Sequence, residues 1–174
     1  MATDAHDHGR SGQPLAFARH DHARCQTQAM AAARHACAER GLRLTEIRER
    51  VLKILLESHE ALGAYDILKR LTAEGAAAPQ PPVAYRALEF LVANGFAHRI
   101  EKLNAFVACA HPGDAHAAAF MICRDCGAVA EIEGAAAARG LSRSAEAMGF
   151  DIASATVEAE GVCARCREGA RPGT

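Results

Sequence analysis

Two pairs of cysteines constrain this chain more than any other feature: Cys123-Arg124-Asp125-Cys126 and, near the end, Cys163-Ala164-Arg165-Cys166. In a Cys-x-x-Cys knuckle the backbone turns so that both sulfurs face one point, and two knuckles supply the four thiolates of a tetrahedral zinc site. Residues 127–162 separate the pairs, a longer stretch than a zinc ribbon uses. The intervening segment is therefore expected to be a folded unit tied at both ends. Two disulfides are the other use of four cysteines. No charged-then-apolar leader precedes them, and a cytosolic chain keeps its thiols reduced, which favours metal. With all four ligands drawn from protein, no position remains for a catalytic water, so the predicted site is structural.

The chain has 174 residues, 50% of them hydrophobic, enough for one ordinary domain or two small ones. No apolar run approaches the length a membrane span requires; a soluble, cytoplasmic protein without membrane contact is expected. The formal net charge of −1 argues, taken as a sum, against a nucleic-acid binder. The distribution is less even. Residues 26–108 carry 11 Lys+Arg against 9 Asp+Glu, and residues 109–174 carry 6 against 9, so a mild basic excess lies in the front half.

Residues 1–24 mix Gly, Ser, Asp and Arg with His6, His8, His20 and His22 and few large apolar groups. Such a stretch buries too little surface to offset its ordering entropy, and a disordered tail able to collect metal loosely is expected. Gln26 to Arg40, ending at Gly41, reads as a helix with a glycine cap, with Cys37 buried in it. Thr45 opens a second helix with Ile47, Val51, Leu52 and Leu55 on its core face. A third runs from Ala64 to Glu74. A fourth begins at Pro81-Pro82, where proline costs no helical hydrogen bond, and ends at Gly95. At helical spacing Ala84, Leu88, Leu91 and Val92 form its buried arc, while Tyr85, Arg86 and Glu89 project from the opposite one. Two short strands follow, 96–101 and 104–109, joined at Lys102 and Leu103.

Helices followed by a hairpin are the layout of a winged helix-turn-helix, with the fourth helix in the recognition position. Arg86 suits the acceptor pair of a guanine edge or a phosphate, and Tyr85 a phosphate or a thymine methyl. An ordinary helical subdomain with a surface Tyr-Arg pair is the plainer alternative. Beyond His111 the chain reads as strand (118–123), knuckle, strand (127–133), helix (135–148), strand (151–160), knuckle. A three-stranded sheet with one helix leaves an edge and a face uncovered, and a homodimer through this half is expected. The predicted fold class is α+β: a tail (1–24), a winged-helix DNA-binding domain (25–108), a hinge (109–117), and a small α/β dimerisation domain with the four-cysteine zinc site (118–170).

His98, Cys109, His116 and Glu131 surround the junction between these halves. Each alone reads as an ordinary surface or core residue. Together, two imidazoles, a thiolate and a carboxylate make a zinc-competent set that would join the two domains. A zinc hydrolase or deaminase at this junction is disfavoured by four protein ligands with no free position, and by the lack of His-Glu-x-x-His or of Pro before Cys123. No catalytic residues and no small-molecule substrate are expected. A zinc-buffering protein without DNA binding stays open.

Gly41-Leu-Arg-Leu-Thr45, Ala64-Tyr-Asp-Ile-Leu68, Tyr85-Arg-Ala-Leu-Glu-Phe-Leu91, Gly95-Phe-Ala-His-Arg-Ile-Glu101 and Cys123-Arg-Asp-Cys-Gly127, in this order and ending in Cys163 to Cys166, resemble the ferric-uptake-regulator superfamily. The likeness runs from Cys37 to Cys166 and is strongest to the zinc-uptake-regulator branch. It implies a dimeric, zinc-sensing repressor of metal-uptake genes that binds an AT-rich palindromic operator. It implies two zinc ions per protomer: one structural, at Cys123, Cys126, Cys163 and Cys166, and one regulatory, at His98, Cys109, His116 and Glu131. It implies DNA contacts at Tyr65 and Arg86, with Tyr85 beside them. The soft thiolate of Cys109 favours zinc over iron; iron-, manganese- and peroxide-responsive regulators of the same superfamily are the alternatives. One departure is Val83-Ala84, where the superfamily has Thr-Val, so a hydroxyl that could cap the helix or bond a phosphate is missing.

Overall fold

The computed structural model describes residues 14–18, 20–73, 80–112 and 117–169. Its elements are α1 (His22–Glu39), α2 (Glu46–Leu56), α3 (Ala64–Ala73), α4 (Pro81–Ala93), β1 (Ala97–Ile100), β2 (Ala105–Ala108), β3 (Ala118–Cys123), β4 (Val129–Glu133), α5 (Ala135–Met148), β5 (Val157–Gly161) and α6 (Ala164–Gly169).

The first four helices bury their apolar stripes against one another. Val51, Ile54, Leu55, Ile67, Leu88, Leu91 and Phe96 are the centre of this core. Two glycines set where its helices stop. Gly41 and Gly95 have φ of 63° and 71°, and the following amides turn back to carbonyls of the last turn, Leu42 N–H to Cys37 and Phe96 N–H to Leu91, both at 2.8 Å. A left-handed residue at this position suits glycine, which carries no Cβ to clash. The turn after Gly95 delivers the chain directly into β1, which pairs antiparallel with β2.

The hairpin has two faces because side chains alternate along a strand. Ala97, Phe106 and Ala108 face the helical core. Ile100 and Val107 face the other way and join Phe120, Ile122 and Val129 of the second lobe in a separate apolar cluster. In that lobe β3 is central, antiparallel to β4 and parallel to β5. A strap just before α3 also crosses between the lobes: Glu60 bridges Ala128, Leu62 bridges Phe106, and Val129 N–H donates to the His59 carbonyl at 2.8 Å. At the hairpin tip the amides of Glu101 and Lys102 donate to the two carboxylate oxygens of Glu158 at 2.7 and 2.9 Å.

Several expectations shift. The first helix starts at His22 and not at Gln26, because the Asp21 carboxylate accepts the Arg24 N–H at 3.1 Å and caps it. Residues 22–24, expected in a disordered tail, are thus helical, and Leu15–Phe17 form a 3-10 turn; residues 1–13 lie outside the described residues, as does Glu74 at the end of the third helix. In α4 the buried arc takes Ala87, while Val92 is 37% exposed. The last strand begins at Val157, not at 151, and α6 begins inside the second knuckle, taking in Cys166, where no helix was expected. Among the described residues no helix is long and apolar enough to cross a membrane.

Gly134 and Gly140 give a paired test of this packing. A Cβ at Gly134 would stand 2.9 Å from the Ala117 oxygen and from the Ala118 carbonyl carbon, whereas one at Gly140 meets nothing within 4 Å. Gly134→Ala is expected to destabilise the chain by about 1–3 kcal/mol, as other overpacked sites do. Gly140→Ala, in the interior of α5, is expected to stabilise it by about 0.5–1 kcal/mol. Urea unfolding of both variants checks the opposite signs.

Candidate metal centres and nucleic-acid interface

The first knuckle sits at the end of β3. Its turn closes through Gly127 N–H to the Cys123 carbonyl at 2.9 Å, with Gly127 at φ 71°. The second knuckle leads into α6, and β5 runs beside β3, so the parallel pairing carries Cys163 to Cys123. All four cysteine sulfurs fall within 4.8 Å of one another. Cys123 Sγ is 3.8 Å from Cys166 Sγ, and Cys126 Sγ is 4.0 Å from Cys163 Sγ. Disulfides need sulfurs about 2.05 Å apart. A tetrahedron with zinc–sulfur bonds of about 2.3 Å has edges of about 3.8 Å, so this donor set fits zinc.

The thiols cannot all ionise unaided. Burial pushes Cys123 up, but the backbone amides of Cys163, Cys126 and Asp125 outweigh it and hold the thiol down at about 6. Hydrogen bonding with the Cys163 sulfur, together with burial, pushes Cys166 up to about 12. A divalent cation among them removes that conflict, since a coordinating thiol is deprotonated outright.

The second set lies on the seam between the lobes. His98 is on β1 opposite Val107, Cys109 directly follows β2, and Glu131 is on β4 opposite Phe120. One ligand atom from each lies within 4.8 Å of the others. Glu131 Oε2 is 3.4 Å from His98 Nε2, and Glu131 Oε1 is 3.9 Å from Cys109 Sγ. The Glu131 side chain is only 6% exposed, and the Ala110 N–H donates to it at 2.8 Å, aiming the carboxylate at the other two. The His98 ring rests on Phe120, centroids 5.1 Å apart. An imidazole, a thiolate and a carboxylate converging from two lobes fit a zinc ion. His116, the fourth expected member, lies outside the described residues.

The residues expected to meet nucleic acid are exposed. On α4, Ala84, Ala87, Leu88 and Leu91 are buried, and Tyr85, Arg86 and Glu89 stand on the outer side. Tyr85 is 40% exposed, and Tyr65, in the first turn of α3, is 73% exposed. A tyrosine this open in a chain with two tyrosines stabilises no core, which leaves its ring and hydroxyl available to a partner.

A third group of ligand-type side chains also converges within 4.8 Å: His20 and His22, expected to collect metal only loosely, with Cys25 and His59, which the sequence did not join to them. The spacing His-x-His-x-x-Cys was visible at residues 20–25, but assigning that stretch to a tail set it aside. Only tertiary packing brings His59 to it. Burial and the adjoining His22 and His20 rings hold the His59 imidazole down at about 4.

Comparison with known proteins agrees with this arrangement. Residues 39–160 match the family described as Ferric uptake regulator family. A zinc uptake regulation protein of Escherichia coli (strain K12) is 39% identical over 141 residues, covering 80% of this chain and 81% of that protein. A solved zinc uptake regulator complexed with zinc and DNA is similar with TM-score 0.74 at 38% identity, covering 82% of this chain and 95% of the other. The crystal structure of holo XcZur is similar at 42% identity with TM-score 0.73, covering 82% and 99%; for apo XcZur, at 40% identity and covering 83% and 99%, the TM-score is 0.50. With the family model matched over residues 39–160 and a relative 39% identical over 141 residues, the chain belongs to the ferric uptake regulator family.

Proposed function

We propose that this protein is a zinc-responsive, DNA-binding transcriptional repressor that acts as a cytoplasmic homodimer on an AT-rich palindromic operator of metal-uptake genes. In this reading residues 25–108 bind DNA and residues 118–170 form the dimer. Cys123, Cys126, Cys163 and Cys166 hold a structural zinc ion; His98, Cys109, Glu131 and, by family resemblance, His116 hold a regulatory one.

The observation that carries the reading is the convergence of His98, Cys109 and Glu131 on the seam. His98 and Cys109 move with the hairpin, and Glu131 moves with the sheet. Any rotation of one lobe against the other separates the carboxylate from its two partners. With His116 as the fourth ligand, zinc bound there would supply a cross-link with no open coordination position, which fits sensing and not hydrolysis. The thiolate of Cys109 favours zinc over harder cations. Further support comes from the whole-chain similarity to holo XcZur, 0.73 against 0.50 for the apo form at nearly equal identity, a drop that a change of lobe angle would produce.

Exposed Leu141, Met148, Phe150 and Ile152 on and after α5 support the dimer, because an apolar patch of this kind marks an association surface. Two recognition helices in such a dimer would read half-sites about 34–36 Å apart. Tyr65 and Tyr85 would contact the backbone or thymine methyls, and Arg86 a guanine edge or a phosphate.

Titrating a palindromic operator with and without a zinc chelator tests the reading directly; equal affinity in the two conditions would reject it. Cys109→Ser is expected to weaken zinc-dependent operator binding at least about tenfold, about 1.4 kcal/mol, while the variant stays dimeric and keeps the zinc of the four cysteines by elemental analysis. Arg86→Ala is expected to cost about 1–3 kcal/mol of operator affinity with zinc loading unchanged, as measured by electrophoretic shift beside zinc titration. Protons compete with zinc for the Cys109 thiolate and the imidazoles, so the zinc concentration that half-saturates operator binding should rise as pH falls from 8 to 6. A flat profile would place the regulatory ion elsewhere.

A further inference from the structure

We propose that His20, His22, Cys25 and His59 form a third zinc site, which clamps the N-terminal arm and α1 onto the strap between the lobes. It involves none of the residues assigned above to the structural or regulatory ion, and it does not depend on those roles.

The argument begins with which ring nitrogens are already committed. His20 Nδ1 faces the Ala18 carbonyl at 3.2 Å, and His22 Nε2 faces the Glu57 carbonyl at 2.9 Å. A carbonyl only accepts, so both of these nitrogens carry hydrogen. The remaining nitrogens, His20 Nε2 and His22 Nδ1, then present lone pairs to each other at 3.3 Å. His59 Nε2 adds a third nitrogen 3.1 Å from His20 Nε2. Facing lone pairs repel; a cation among them reverses the sign of the interaction.

The spacing suits such a cation. Zinc–nitrogen bonds of about 2.0–2.1 Å in a tetrahedron place nitrogens about 3.3–3.4 Å apart. The fourth corner is supplied by Cys25, one turn along α1 from His22 and with its sulfur in the same 4.8 Å group. The two carbonyls act as the outer partners that metal-bound histidines commonly have, fixing tautomer and ring orientation. Three imidazoles and one thiolate, without a carboxylate, favour zinc among the abundant divalent cations.

Position gives the site a consequence. His59 opens the strap whose carbonyl accepts from Val129 N–H of β4. The 3-10 turn of the arm packs against β4, and the same surface pocket is lined by His20, His59, Cys126 and Arg165. A cation held here ties the arm, α1 and the strap together beside the four-cysteine cluster. Its loss would free the arm without removing a ligand from either other set.

Crystals of the full chain grown in buffered zinc, measured above the zinc absorption edge, give the direct test. An anomalous peak between His20 Nε2, His22 Nδ1, His59 Nε2 and Cys25 Sγ is the expected result; none there, with peaks at the other two sets, overturns the proposal. In solution, Cys25→Ser combined with His59→Ala should lower zinc by one ion per protomer relative to wild type, and an unchanged count overturns it. Cys25→Ser alone, a change of one atom, should weaken the sulfur-to-cobalt charge-transfer band of the cobalt-loaded chain by one thiolate's share. An identical spectrum would remove Cys25 from the site.

Discussion

The seam between the two lobes closes around one buried carboxylate. Glu131 lies on β4 with almost no solvent contact, its charge facing a hairpin that belongs to the other lobe. A carboxylate placed there costs free energy unless something of opposite sign or a donor meets it. The Ala110 amide donates to Oε2, which also faces His98 Nε2, and the Cys109 thiol faces Oε1. The apolar contacts of Ile100 and Val107 with Phe120, Ile122 and Val129 favour a closed seam without specifying an angle, because burial is non-directional. Direction comes from the polar contacts across the seam, the Glu131 group among them with Glu158 at the hairpin tip and the strap bridges.

This division of labour explains how one ion could act as a switch without moving far. The lobes are already joined by the strap, by the apolar cluster and by Glu158 gripping the hairpin tip. Where two lobe angles are in equilibrium, a ligand that binds one of them better redistributes the population by its differential affinity. Of the hinge expected at residues 109–117, residues 113–116 lie outside the described residues. The hairpin is structural to both lobes, one face in each core, and the Gly95 turn joins it directly to α4.

Much of this was legible in the sequence because its signals are local. A Cys-x-x-Cys pair, a glycine closing a helix and a double proline opening one each act within a few residues, and the corresponding elements lie where those residues place them. The failures are non-local. Asp21 as a cap extended α1 into residues whose composition alone reads as tail. Val92, apolar, is 37% exposed because it lies at the edge of the buried arc, beside Tyr85, while Ala84, Ala87, Leu88 and Leu91 form the arc itself. Convergence at the seam was inferred from donor chemistry and resemblance, and spacing alone would not have gathered it. His59 had no sequence sign at all: a single histidine becomes a ligand candidate only when another element is packed beside it.

The missing hydroxyl of the recognition helix illustrates how a local departure is absorbed. Val83 replaces a residue that could have capped α4, and loss of a cap costs about 0.5–2 kcal/mol. In this chain the cap position is Gln80, and Val83 is the third helical residue. Pro81 and Pro82 have no N–H to satisfy, and the Val83 N–H donates to the Gln80 carbonyl at 2.8 Å. The helix start therefore lacks the orphan donor that a hydroxyl would have served, and its first φ angles are set by the prolines. Val83 is 38% exposed and lies one turn before Arg86, on the same face. What the substitution changes is the chemistry of that face, a branched apolar group suited to a thymine methyl in place of a hydroxyl suited to phosphate, and not the stability of the helix that carries it.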